Sequence, residues 1–174
     1  MKGVDELTEK NNRNDEQILI IKRNSDMVYR LAYAQMKNRD DANDVYQDVF
    51  YRYIKKMPDF ESREHEKAWF IRVTLNCTKT SLTSFWKTKT MPIDDNVEIP
   101  QTEKEDLSFA LKELRKVNKK YTAVIHLFYY EDMTTAEIAQ VLDLKEGNVR
   151  MLLTRARREL KKILEKEHYC ESRV

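Results

Sequence analysis

Apolar residues recur at helical spacing along nearly the whole chain, and the pattern fails once, between Lys87 and Glu105. Within it Pro92 and Pro100 bracket an acidic segment, poor in apolar side chains, that contains Asp94, Asp95 and Glu98. A stretch of that length without periodicity is long for a loop inside one compact domain, so it reads as a linker. The expected fold is all-α, with two small helical domains. A flexible N-terminal arm over 1–15 precedes a first domain over 16–87, a linker over 88–104, a second domain over 105–168 and a tail over 169–174. The scarcity of helix breakers agrees, since 174 residues include only 2 Gly and 3 Pro beside 36% charged residues.

In the first unit Ile18, Ile21, Val28, Leu31 and Ala32 mark one helix running toward Asn38. Asn38 and Asp40 can supply the turn and the next N-cap. The second helix places Val45, Val49, Tyr53 and Ile54 on one face, and Pro58 should stop it. A polar loop follows over 59–64, and a third helix starts near Glu64, carrying Ala68, Trp69, Ile71, Leu75 and Leu82. Periodicity resumes at Leu107, with further helices over 121–130, 135–142 and 145–166.

Several classes of function are excluded at this level. No Gly-rich phosphate loop, metal cluster or nucleophile–base pair is visible, so neither an enzyme nor a bound cofactor or metal is expected. Cys77 and Cys170 are far apart and read as free thiols in a reducing compartment. No apolar run is long enough for a membrane span, and residues 1–14 lack the apolar core of a secretory signal. The protein is therefore expected to be cytoplasmic. Net charge is only +2, so any nucleic-acid surface must come from local clustering of Lys and Arg.

The segment TAEIAQVLDLKEGNVRMLLT, residues 135–154, has the layout of a DNA-binding helix-turn-helix, and such clustering follows along its second helix. Ala139 is small where the helices cross, and Ile138, Leu142, Leu144, Val149 and Leu152 pin the pair. Asp143 occupies the turn, where a left-handed backbone is needed and Asp tolerates it. Thr134 or Thr135 can cap the first helix, with Glu137 or Glu131 as acids near its N-terminus. The second helix turns Val149, Leu152 or Leu153, Ala156, Leu160 and Ile163 inward. Between Lys145 and Lys166 it carries eight Lys or Arg against three acids, a charge balance suited to the major groove.

Asn148-Val149-Arg150, followed by Arg155-Ala156-Arg157-Arg158-Glu159-Leu160, resembles the domain of sigma factors that contacts the −35 promoter element. Upstream, DDANDVYQDVFYRY (residues 40–53) resembles the sigma segment that docks on a coiled coil of the polymerase clamp, and FESREHEKAWFIRVTLN (residues 60–76) resembles the loop and helix that recognise the −10 element. The three motifs stand in the family order over most of the chain. The chain is thus similar to the extracytoplasmic-function (ECF) group of the sigma-70 family, whose short linker replaces the third domain of larger relatives.

The resemblance implies roles residue by residue. Asp44, Gln47, Asp48 and Arg52 contact polymerase. Phe60, Ser62, Arg63, Asn76, Lys79 and Thr80 contact −10 DNA as single strand, with Lys67, Lys87 and Lys89 as further phosphate ligands and Trp69 packed in the core. Thr135, Lys145, Asn148, Arg150, Met151, Thr154, Arg155, Arg157 and Arg158 contact duplex −35 DNA. Asp94, Asp95 and Glu98 suit a nucleic-acid mimic on the way to the RNA exit path. The implied partners are the clamp and flap of bacterial RNA polymerase core, promoter DNA and an anti-sigma factor, often membrane-bound. The alternative is a conventional helix-turn-helix regulator that binds duplex DNA without polymerase.

Overall fold

The computed structural model describes residues 2–36, 38–85 and 105–171, with side chains over 14–36, 38–80 and 111–166. All regular structure among them is α-helical, in the order α1 Lys2–Gln35, α2 Arg39–Lys56, α3 Arg63–Phe85, α4 Glu105–Val117, α5 Lys119–Tyr129, α6 Thr135–Leu142 and α7 Glu146–Glu171. The expected linker, with Lys87, Lys89, Pro92, Asp94, Asp95, Glu98 and Pro100, lies outside the described residues.

The helix boundaries follow local chemistry. Asn38 caps α2, its side chain accepting from Asp41 N–H at 2.8 Å. Met57 ends α2 in the left-handed region, at φ 42, and donates its N–H to Tyr53 O at 2.8 Å. Pro58 then prevents continuation. Ser62 opens α3 by accepting from His65 N–H at 3.1 Å. α1 starts at Lys2 and not near Asp15. Once a helix is nucleated, each further residue adds one hydrogen bond for two fixed dihedrals, so a polar stretch can extend it without an apolar stripe.

α1, α2 and α3 pack together around Val28, Leu31, Val45, Val49, Phe70 and Ile71, all essentially inaccessible. α4 to α7 enclose a second set: Leu114, Ile125, Leu127, Ile138, Val149 and Ala156. Fully burying one such aliphatic side chain contributes roughly 1.5–3 kcal/mol, so each cluster is large enough to hold three or four helices. Two expected core positions are corrected. Ile18 is 47% exposed and Ile54 is 49% exposed. The buried stripes run instead through Ile20, Asn24, Met27 and Leu31 on α1, and through Ala42, Val45, Val49 and Tyr53 on α2. At 3.6 residues per turn Ile54 stands about 100° round its helix from Tyr53 and Ile18 about 160° from Ile20, so both face away from these stripes.

The two clusters also touch each other, α1 against α4 and α5, and α3 against α6.

Candidate polymerase and nucleic-acid interfaces

On α2, Asp44, Gln47, Asp48 and Arg52 are all exposed. Asp44, Gln47 and Asp48, at i, i+3 and i+4, share one face turned away from the buried Val45 and Val49, and Arg52 stands one turn beyond Asp48 at the border of that seam. Tyr51, 64% exposed, stands among these three side chains, and Ile54, 49% exposed, borders them. The result is an acidic strip with apolar shoulders, complementary to a basic helical surface.

Between α2 and α3 the chain borders a cleft of about 640 Å³, whose walls include Arg23, Tyr53, Phe60, Ser62, Arg63 and Glu66. Aromatic rings pack behind it. Tyr53 and Phe60 lie stacked with centroids 6.3 Å apart, and Trp69 meets Phe60 edge-on at 5.9 Å. Trp69 is half-buried in this group, so its packing role is as expected. Phe60 is part of the same cluster and forms cleft wall.

One charged residue in this region was not legible in the sequence. Glu66 is 4% exposed and accepts from Arg23 Nε at 2.7 Å and from Asn24 Nδ2 at 2.5 Å, with Arg23 Nη2 closing a bidentate pair. Burial alone raises its carboxyl pKa, but these hydrogen bonds prevail and hold it below the usual range. The pair ties α1 to α3 and fixes one edge of the cleft.

Farther along α3, Asn76, Lys79 and Thr80 are exposed. Thr80 Oγ1 donates to Asn76 O at 3.1 Å, a turn of the same helix. Asn76 lies about 20 Å along the axis from Arg63, at 1.5 Å per residue. The expected −10 ligands therefore form two groups: Phe60, Ser62 and Arg63 around the cleft, and Asn76, Lys79 and Thr80 down the helix.

The helix-turn-helix is built as its spacing predicts. Thr134 caps α6 with Glu137 in a reciprocal capping box, and Asp143 takes the left-handed turn at φ 55. Leu144 N–H then returns to Ala139 O at 2.9 Å, closing the helix end. Glu131 plays no part in that cap. On α7, Lys145 just before the helix and Asn148, Arg150, Met151, Thr154, Arg155, Arg157 and Arg158 are exposed, while Thr135 is half-buried. Gly147, Met151, Thr154 and Arg158 share the outermost face by helical spacing. Arg157 turns onto α5, its guanidinium 5.1 Å from the Phe128 ring centre and its Nε donating to Tyr129 Oη at 3.0 Å. In this structure it braces α7 against α5.

Where the two halves meet, Glu131 is 9% exposed and collects cations from both helices opposite. Arg30 Nη2 approaches Oε1 at 3.4 Å, and Lys67 Nζ lies 3.2 Å from Oε2 and donates to Glu131 O at 2.9 Å. Arg72 reaches the carbonyls of Val141 and Gln140 at 3.4 and 3.5 Å, near the C-terminus of α6. Lys67, expected as a phosphate ligand, is thus engaged within the protein. His126 is buried beside this group, with Nε2 3.8 Å from Glu131 Oε1. Burial, helped by Arg30, pushes its pKa down to about 4, so it is neutral at physiological pH.

No helix among the described residues is long and apolar enough to cross a membrane. No group of His, Cys, Asp and Glu among them is arranged to hold a metal.

Residues 20–88 match the sigma-70 region 2 family, and residues 110–160 match sigma-70 region 4. RNA polymerase sigma factor SigV of Bacillus subtilis (strain 168) is 30% identical over 145 residues, covering 80% of this chain and 85% of that protein. ECF RNA polymerase sigma factor SigW of the same organism is 24% identical over 160 residues, covering 80% and 83%. Among solved structures, the sigma factor RpoE in complex with the anti-sigma factor NepR from Bartonella quintana aligns with a TM-score of 0.66 at 17% identity, over 88% of this chain and 97% of that one. That likeness is one of fold.

Proposed function

Since the chain belongs to the ECF group of the sigma-70 family and directs RNA polymerase in transcription initiation, we propose that its described surfaces divide the work of promoter recognition among three places. RNA polymerase core and the promoter are its partners, and bond formation belongs to the polymerase. α2 docks on the core clamp through Asp44, Gln47, Asp48 and Arg52. The C-terminal domain meets the flap and reads duplex −35 DNA through α6 and α7. The cleft beside Phe60 and the outer face of α3 take −10 DNA as single strand.

The observation that carries this reading is the α2 face. Asp44, Gln47 and Asp48 stand exposed on one face away from a dry seam, with the exposed Arg52 one turn beyond. The helix-turn-helix alone also suits a regulator that works without polymerase; the α2 face does not. The test is co-elution with RNA polymerase core on a sizing column at moderate salt, wild type beside a double variant, Asp44→Ala with Gln47→Ala. Co-elution of wild type, weakened in the variant, is the expected result. Failure of the wild type to associate with core overturns the assignment.

The chemistry of the cleft suits an extruded base. Unstacking a base costs a few kcal/mol, which aromatic walls and edge hydrogen bonds must offset. Phe60 provides an aromatic wall, backed by Tyr53; Ser62, Arg63 and Arg23 provide polar groups at the edge. Asn76 and Lys79 then follow the strand along α3. In this reading the free chain is cytoplasmic and restrained by an anti-sigma protein, in many relatives a membrane protein, that covers these same surfaces.

A further inference from the structure

Glu146, the first residue of α7, joins two side chains expected to touch DNA. Its Oε1 accepts from Thr135 Oγ1 at 2.6 Å and from Arg150 Nη2 at 2.7 Å. Thr135 belongs to the first helix of the motif and Arg150 to the second, so one oxygen couples the two. The Thr135 hydrogen bond and then the Arg150 one hold the Glu146 carboxyl below its usual pKa, keeping it charged. Both Arg150 and Glu146 are substantially exposed, and an exposed i,i+4 pair adds little to stability.

The consequence is geometric and electrostatic. A free arginine samples many rotamers, and tethering one Nη aims the remaining donors of the fork. A carboxylate in the first turn also occupies the positive end of α7, where a DNA phosphate would otherwise be drawn. The first effect favours one base edge over others; the second weakens binding that ignores sequence. Gly147 adjoins this pair, and a Cβ built there meets no atom within 4 Å. The fold therefore has no steric need for glycine at that position, which lies open on the approach side.

We infer that Glu146 is a positioning residue for promoter discrimination: it fixes Arg150 for base reading and lowers affinity for duplex of arbitrary sequence. This rests on the reading of α7 as the −35 reader. The test uses holoenzyme reconstituted from the full chain and core polymerase, and a duplex library randomised across both promoter elements. Selected base frequencies are read by sequencing, and affinity for a non-promoter duplex is measured separately. Arg150→Ala should erase the preference at one −35 position. Glu146→Gln should weaken the preference at that same position about tenfold, within the range of one bidentate base contact, while binding the non-promoter duplex several-fold more tightly. Glu146→Asp keeps the charge on a shorter arm, so it should weaken the preference and leave non-promoter affinity unchanged. If Arg150→Ala erases a preference that Glu146→Gln preserves, the positioning role is wrong. If Arg150→Ala changes no position, the reading of Arg150 beneath it is wrong.

Discussion

The cleft beside α3 and the outer face of α7 place charge in opposite ways. At the cleft, Glu66 is buried and bound by Arg23 and Asn24 of α1 before any ligand arrives. On α7, the side chains of Arg150, Met151, Thr154, Arg155 and Arg158 stand in solvent. A site that must receive a base pulled from its stack needs walls already in place, because ordering them on binding would add to the cost of unstacking. A helix that enters an intact groove needs reach, since the duplex brings its own fixed geometry. Enclosure and exposure are the physical marks of the two modes of DNA contact proposed for this chain.

Four substitutions sharpen or break that contrast. Arg23→Ala leaves the Glu66 carboxylate buried with only Asn24, and should cost on the order of 3 kcal/mol in urea unfolding. A loss under 1 kcal/mol would show that the cleft edge is not prebuilt. The interface between the halves offers the second test. His126 is pushed to about 4 in the fold, by burial and by Arg30, with Glu131 and Tyr130 also beside it. Unfolded, it binds a proton near its ordinary value, so stability should fall as pH drops from about 6.5 toward 4. The loss approaches roughly 3 kcal/mol at the acid end, and His126→Phe should flatten that slope. Third, Thr134→Ala removes the α6 cap and should cost about 1 kcal/mol by thermal melting, with −35 binding weakened only in proportion to unfolding. The smallest effect has opposite signs in two assays. Gly147→Ala should stabilise α7 by roughly 0.5–1 kcal/mol, since nothing opposes the methyl group, yet weaken holoenzyme binding to −35 duplex. Stabilisation without loss of DNA affinity would mean that the DNA does not approach there.

The helices were legible because local rules set them. Asn38, Pro58, Thr134 and Asp143 act on neighbours within a few residues, and the structure uses each at the expected place. Ala139 at the crossing and the inward Val149 and Ala156 are likewise read from spacing alone. Ile18 and Ile54 were misplaced because apolar character alone does not put a residue on the buried seam. The partners of Glu66 and Glu131 were hidden for a different reason. Glu66 depends on α1, and Glu131 on α1 and α3, across more than 40 residues in each case. A lone acid in a charged chain carries no local sign of such partners. Arg157 illustrates the same limit, since its aromatic partners Phe128 and Tyr129 sit on another helix.

The contact around Glu131 sets a limit on reach. With α3 packed on α6, the helix assigned to the −10 element lies directly against the motif assigned to −35. Elements named for positions about 25 base pairs apart lie about 85 Å apart on straight duplex, at 3.4 Å per pair. One molecule cannot span that distance while Arg30 and Lys67 hold Glu131 and Arg72 holds the end of α6. The chain from Phe85 to Glu105 allows the halves to separate by at most about 70 Å, at 3.3–3.6 Å per residue, and the breadth of the domains covers the remainder. Opening returns Glu131 to water, so recovered hydration offsets part of the lost ion pairing. On the surfaces proposed above, engagement of both promoter elements by one molecule requires the open chain.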